Sequence, residues 1–260
     1  MILAAREAGS GPALVLLHGL FGSAANFGRV QRRLAARFRT IALDLRNHGA
    51  SPHAARMDYA TMAGDVIETL AARAALPAML VGHSMGGKTA MMAALTTPDA
   101  VARLIVVDIA PRPTPPAFRE IAAAMQVMPL RPDLSRGEAD ALLAPAVPDA
   151  RIRGFLLQNL RLGAEPGWRI GLDEIAAALP AIEGWDPPAG ARYEGPALFV
   201  AGGHSPYLPA DARPAIRALF PAARMIVLKN AGHWVHADDP EGFLSVITQF
   251  CEPALRQPAG

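Results

Sequence analysis

Four short runs of this sequence are apolar at nearly every position instead of every second one: ALVLLHG (13–19), RTIALDLR (39–46), AMLVGHS (78–84) and RLIVVDIAP (103–111). A strand with one face in water alternates apolar and polar residues. Runs apolar on both faces belong to strands covered on both sides, which is the situation of a mostly parallel sheet between helical layers. Helical text separates them: residues 29–37, 59–75 and 85–97 carry helical periodicity, the last stopped by Pro98. After residue 111 the rhythm breaks. PRPTPPAF is a proline-rich exit, and residues 118–185 read as helix with no convincing strand, including a capping box at Ser135 and Glu138. Strand text returns at PALFVAGG (196–203) and ARMIVLKNAGH (223–233), followed by a last helix with Asp239 as N-cap and Pro240 at its first position. The expected architecture is α/β, a mostly parallel sheet flanked by helices. A core of residues 1–111 and 188–260 is interrupted by a helical cap at 112–187.

Within this frame, Gly82-His83-Ser84-Met85-Gly86 is G-x-S-x-G between a strand and a helix. A turn that sharp brings the flanking backbones together, so positions 82 and 86 have no room for a Cβ. The serine hydroxyl is then held clear of the carboxyl edge of the sheet, with a helix N-terminus behind it that favours developing negative charge. A glycine-rich turn whose serine merely caps the helix would be spelled similarly. The partial repeat at Gly203-His204-Ser205-Pro206-Tyr207 lacks the closing glycine and reads as a loop.

A serine hydroxyl is a poor nucleophile unless a base takes its proton. Of the seven histidines, His83 lies inside the elbow, where its side chain should point away from Ser84 and serve structure. His18 and His48 follow early strands, and His53 and His204 have no motif context. NAGHWVH, after the last strand, holds His233, the candidate base, and His236, the weaker one. The oxyanion donors expected for an elbow serine are the N–H of Met85 and a second N–H from HGLFG (18–22), assigned to Leu20 with Phe21 as its near rival. Phe21 and Trp234 flank these positions and are the candidate substrate contacts. For the acid, VVDIAP puts Asp108 at a strand end one strand nearer the nucleophile, from which a carboxylate can reach the imidazole. The same residue could simply form a turn, and Asp211 is held in reserve.

Bulk properties narrow the partners. The formal charge is +2 and the 25 basic residues are scattered, so no surface for tracking phosphates is expected and nucleic acid is excluded as a partner. No apolar run reaches the roughly 18 residues that span a bilayer, so no membrane insertion is expected. Cys251 is the single cysteine, which excludes an intrachain disulfide and a cysteine metal cluster and suits a reducing cytoplasm. The chemistry requires no cofactor and no metal.

Together HGLFGS, LDLRNHGAS, GHSMGGK, VVDIAP, GGHSPY and AGHWVHAD resemble the α/β-hydrolase superfamily, and within it the branch of small bacterial esterases and acyl-thioesterases of the YbfF type. The resemblance covers nearly the whole chain except the cap. It implies the α/β-hydrolase fold and a small-molecule ester or acyl-thioester substrate cleaved through an acyl-enzyme on a Ser84, His233, Asp108 triad. Most of the superfamily carries the acid after the penultimate strand, where this chain has Ser205; in the resembled branch the acid follows the VVDIAP-like strand, so Asp108 inherits the role. Asn47 stands where many members have glycine, and the first strands look shortened over residues 1–12. The cap, with Met125, Phe155, Leu156 and Trp168, should roof an apolar acyl pocket, although such residues more often bind a cap to its core. A cofactor-free perhydrolase, a C–C bond hydrolase and a weakly catalytic small-molecule receptor would share the same triad.

Overall fold

The computed structural model describes residues 1–255. The chain opens with β1 (Ala5–Ala8), β2 (Ala13–Leu17), α1 (Gly28–Leu34), β3 (Arg39–Leu43), α2 (Tyr59–Ala72), β4 (Ala78–His83), α3 (Met85–Thr96) and β5 (Val101–Val107). It continues through α4 (Arg119–Gln126), α5 (Arg136–Leu143), α6 (Ala150–Leu156), β6 (Leu160–Arg161), β7 (Gly167–Trp168) and α7 (Leu172–Glu183). It closes with β8 (Ala197–Gly202), α8 (Arg213–Leu219), β9 (Ala223–Leu228), α9 (Val235–Asp238) and α10 (Pro240–Leu255).

Seven strands form one sheet in the order β1-β3-β2-β4-β5-β8-β9. All neighbours are parallel except β1, which runs antiparallel to β3. The doubly apolar runs account for this arrangement directly. Leu14 and Leu16 of β2 pack on one face with Phe27, Leu34 and Phe38 and with Phe243 and Ile247 of α10. Val15 and Leu17 face the opposite way, with Val66 and Leu70 of α2 and Met91 of α3. Each such side chain stabilises the fold by about 1.5–3 kcal/mol relative to exposure. A polar residue at any of these positions would therefore be felt on whichever face it lay. Helix α3 is buried over its whole length from Met85 to Leu95, so it runs under other helices and not along the surface.

Three differences from the sequence reading have physical causes. Strand β1 is spelled AREA with a half-exposed pattern, so it offers no apolar run to find. The helical stretch 118–185 contains a two-stranded antiparallel ribbon, pairing Leu160 with Trp168 and Arg161 with Gly167, too short to show periodicity. Strands β4 and β5 end earlier than their apolar text because Ser84 (φ 54°) and Asp108 (φ 53°) adopt left-handed backbone that breaks the ladder. The cap at Ser135 is present: Ser135 Oγ accepts from Glu138 N at 3.2 Å, and Ser135 N donates to Glu138 Oε2 at 2.8 Å. Asp239 likewise accepts from Gly242 N at 3.0 Å at the start of α10. Among the described residues no helix is long and apolar enough to cross a membrane.

The chain leaves β2 for β3 on one side and returns to β4 on the other. In such open parallel sheets ligands bind outside the carboxyl ends of the strands, at that reversal. The loops after β2, β4, β5, β8 and β9 converge there.

Candidate active site

Ser84 stands at the tip of the turn between β4 and α3 with φ 54° and ψ −118°. Both flanking glycines are required by close approach. A Cβ on Gly82 would run into the Gly86 carbonyl, and one on Gly86 into the carbonyl of Leu17 in β2. The strained residue is held from behind, its N–H donating to Val107 O at 3.0 Å and its own carbonyl accepting from Lys88 N at 3.1 Å.

One strand over, Asp108 is fully buried. Its Oδ1 accepts from Gly202 N at 2.9 Å and its Oδ2 accepts from the Nδ1 of His233 at 2.7 Å. A carboxylate can only accept, so the His233 proton on that side sits on Nδ1 and Nε2 is left free to accept. Ser205 Oγ donates to the same Asp108 Oδ2. The serine at the position where the resemblance puts the usual acid is thus bonded to Asp108, the candidate acid. The His233 imidazole packs at a tilt against two rings, Tyr207 at 4.3 Å and His83 at 4.7 Å between centroids. His83 lines the same cavity as Ser84, and its Nε2 donates to the His233 carbonyl at 2.8 Å. Ser84 and His233 line one cavity; no hydrogen bond joins them among the described residues.

The loop after β2 is fixed by two buried imidazoles. His48 Nε2 accepts from Phe21 N at 3.1 Å while its Nδ1 bonds Arg46 O at 2.9 Å. His18 Nε2 accepts from Leu45 N at 3.0 Å, and its Nδ1 bonds Gly19 O at 2.8 Å. Carbonyls only accept, so both rings are neutral Nδ1–H tautomers. Burial pulls their pKa values down, to about 4 for His18 and about 3 for His48. Asn47, in left-handed backbone at φ 64°, makes the turn that aims His48, a conformation asparagine tolerates. Since Phe21 N–H is spent on His48, Leu20 has, among the described residues, the uncommitted N–H of the two. Met85, at the first position of α3, has an N–H that no turn of its own helix can use.

The cavity holds about 540 Å³ and is walled by Phe21, Phe118, Ile121, Ile152, Phe155, Leu156 and Trp234. Arg151 stands at its exposed side, paired with Asp238 at 2.7 Å and lying 5.7 Å over the Trp234 ring. A second pocket of about 20 Å³ meets the first at Leu20, Ser84, Phe118 and Tyr207. Of the four residues expected to roof the pocket, Phe155 and Leu156 line it, whereas Met125 and Trp168 do not. Met125 is fully buried and its carbonyl accepts from Trp168 Nε1 at 3.1 Å, so this pair holds helix α4 to the β6–β7 ribbon.

Of the reserve candidates, Asp211 lies outside the cavity, whereas His236 lines it together with Ser84 and His233. Asp211 is 73% exposed and pairs with Arg112 at 3.4 Å. His236 is buried with its ring 4.8 Å from Phe27 and its Nδ1 without a partner among the described residues, and burial lowers its pKa to about 4. Sequence reasoning missed the anchoring roles of His18 and His48, and missed Ile121, Ile152 and Tyr207. Only the histidines carried a signal, as polar residues directly after apolar strands.

A family model described as alpha/beta hydrolase fold matches residues 12–240. The chain is 43% identical over 248 residues to the mouse sn-1-specific diacylglycerol lipase ABHD11, covering 92% of this chain and 80% of that protein. It is 37% identical over 239 residues to the Escherichia coli esterase YbfF, covering 91% and 92%. Among solved structures, a marine microorganism esterase superposes with a TM-score of 0.92 at 34% identity, covering 96% of this chain and 99% of that one.

Proposed function

The chain belongs to the alpha/beta hydrolase family, and from that premise we propose that it is a serine hydrolase cleaving carboxylic esters or acyl thioesters through an acyl-enzyme. The observation that carries this reading is the 2.7 Å Asp108–His233 hydrogen bond, made at the same cavity that Ser84 lines. Ester hydrolysis is also what the names of the relatives describe, an esterase and a lipase.

In the proposed reaction His233 Nε2 takes the Ser84 proton as Oγ attacks the acyl carbonyl. The bond to the alcohol or thiol then breaks and the leaving group receives that proton. Water, deprotonated by the same imidazole, frees the acid and restores Ser84. Asp108 fixes the tautomer and stabilises the imidazolium. Leu20 and Met85 N–H groups are the oxyanion donors on this reading, each lowering the barrier by about 3–4 kcal/mol. Phe21 and Trp234 contact the apolar part of the substrate, and residues 112–187 act as a cap that closes over it. The lone buried Cys251 supports a cytoplasmic setting.

The test is multiple-turnover kinetics of purified protein on a chain-length series of p-nitrophenyl esters and acyl-CoA thioesters. Turnover abolished by Ser84→Ala is the expected result. A single acylation without turnover would instead identify a receptor on this fold, and turnover surviving in a folded Ser84→Ala protein would remove Ser84 from the chemistry.

A further inference from the structure

Lys88 is 1% exposed, one turn into α3 from Ser84, and the mechanism above does not use it. Its Nζ donates to Gly184 O at 2.9 Å, leans on Glu183 O at 3.5 Å and lies 5.4 Å from the centroid of the Tyr59 ring. These carbonyls end α7, where the helix dipole favours a cation. Burial pulls the Lys88 ammonium down to about 8, against the opposing pull of Glu183. Holding an ammonium out of water is costly, and an apolar residue of similar volume would often be as stable. The position therefore asks for a role beyond packing.

Glu183 supplies one. Its carbonyl accepts from Thr114 N at 2.8 Å and from Thr114 Oγ1 at 3.2 Å. Its side-chain Oε1 accepts from Ala117 N at 3.0 Å and Phe118 N at 3.3 Å. The proline-rich segment leaving β5 thus hangs from the last residue of α7, and Lys88 ties that helix end to the elbow helix. Phe118 sits where this chain of bonds ends, walling both the 540 Å³ cavity and the 20 Å³ pocket beside Ser84. The small pocket is itself lined by Lys88, Tyr59 and Thr114.

We infer that Lys88 is a specificity-determining positioning residue, which through α7 and Glu183 holds Phe118 as the partition between the two pockets. The substrate class this selects is an ester with a long apolar group on one side of the scissile carbonyl and a methyl-sized group on the other. The inference rests on Ser84 being the nucleophile, since the partition matters only at the reacting carbon.

Two measurements test it. The first is amide hydrogen exchange across residues 114–118, which reads the tether without any turnover. Lys88→Met is expected to speed exchange there by at least about tenfold. The second is the ratio of kcat/KM for esters of one long-chain alcohol carrying acetyl or isobutyryl groups. That ratio should fall by about tenfold in Lys88→Met, the usual worth of a methylene-scale fit, and similarly in Glu183→Ala. Glu183→Gln, whose amide oxygen still accepts from both N–H groups, should recover most of the selectivity lost in Glu183→Ala. Unchanged exchange in Lys88→Met overturns the tether. Faster exchange with an unchanged acyl ratio, or equal losses on both esters, overturns the specificity role. Should Lys88→Met not fold, Glu183→Ala carries both measurements. If the wild-type protein turns over no ester, the hydrolase reading fails while the exchange measurement still decides the tether.

Discussion

The carboxyl edge of the sheet and the helical segment between β5 and β8 meet at one cavity, but they are built on different terms. At the edge, polar atoms are committed one by one. Asp108 Oδ1 is taken by Gly202, its Oδ2 by His233 and Ser205, Phe21 N–H by His48 and the His233 carbonyl by His83. In the helical segment, Ile121, Ile152, Phe155 and Leu156 contribute shape and apolar surface. Directional bonds have one solution, whereas apolar walls have many of nearly equal energy. The edge should therefore fail by orders of magnitude when one atom changes, and the segment by modest, substrate-dependent steps.

The largest expected effects test the first half of that contrast. Ser84→Ala should lower kcat by about 10⁶ if serine and base act as a unit, with thermal unfolding little changed because alanine keeps the same backbone. Asp108→Asn should lower kcat by up to about 10⁴, through an imidazole held in the wrong tautomer. Asparagine tolerates the left-handed backbone that Asp108 adopts at φ 53°, so the loss should appear without unfolding. Ester kinetics and a urea titration on each variant check both statements. Adding Ser205→Asp to Asp108→Asn should restore part of the rate, because position 205 already reaches Asp108 Oδ2. An Asp108→Asn enzyme within tenfold of wild type would break the comparison at its strongest point.

The segment between β5 and β8 should respond more gently. Phe155→Ala, which trims a cavity wall, is expected to raise KM for long-chain esters by about 10–100-fold, the worth of a few methylenes of contact, and to affect short-chain esters several-fold less. Equal losses at all chain lengths would mean that Phe155 supports the edge and not the wall.

The same contrast explains how much could be read in the letters. Ser84, His233 and the Leu20 loop sit in turns where sterics restrict the spelling: no Cβ fits at Gly82 or Gly86. Those constraints leave short, recognisable strings. Asp108 was legible only because a carboxylate ends an otherwise apolar strand, and its 125-residue separation from His233 is closed by the fold alone. Met125 and Trp168 looked the same on paper as Phe155 and Leu156, all apolar at helical spacing. Which of them face a cavity depends on helix rotation that neighbouring helices decide. Lys88 was invisible for a related reason, since a lysine in helical text reads as solvated until its surroundings are known.

The histidines that brace the edge make its acid sensitivity calculable in sign. Burial lowers His18 and His236 to about 4 and His48 to about 3, and lowers His83 well below its ordinary value. In the unfolded chain each takes a proton near pH 6.5. The braces are therefore fully present above about pH 6.5, and stability falls as pH drops from there toward 4, where the unfolded state binds protons the fold refuses. Each histidine contributes a slope of about 1.4 kcal/mol per pH unit in that window. Urea midpoints between pH 8 and 4.5 should show this decline. His236→Phe should flatten it by one histidine's share, because His236 leaves its Nδ1 unbonded among the described residues and packs against Phe27 and Phe243. A midpoint independent of pH over this range would show that the braces ionise in place.

The smallest effect decides between the two acids. Asp211 follows β8, close in sequence to where most of the superfamily keeps its carboxylate, and it is the residue that would matter if Asp108 did not. It is 73% exposed and its partner Arg112 is 43% exposed at 3.4 Å, a pair that in water is worth at most about 1 kcal/mol and often nothing measurable. Asp211→Asn is accordingly expected to change kcat by less than about twofold, since no imidazole loses a hydrogen bond. The measurement has force because the same substitution chemistry, carboxylate to amide, is applied at two strand-end loops in one protein. A loss at 108 with none at 211 assigns the function to the buried, triply bonded carboxylate. Comparable losses at both would mean that the loop after β8 moves in solution far enough to bring Asp211 to His233, and the directional edge would then be less rigid than its hydrogen bonds require.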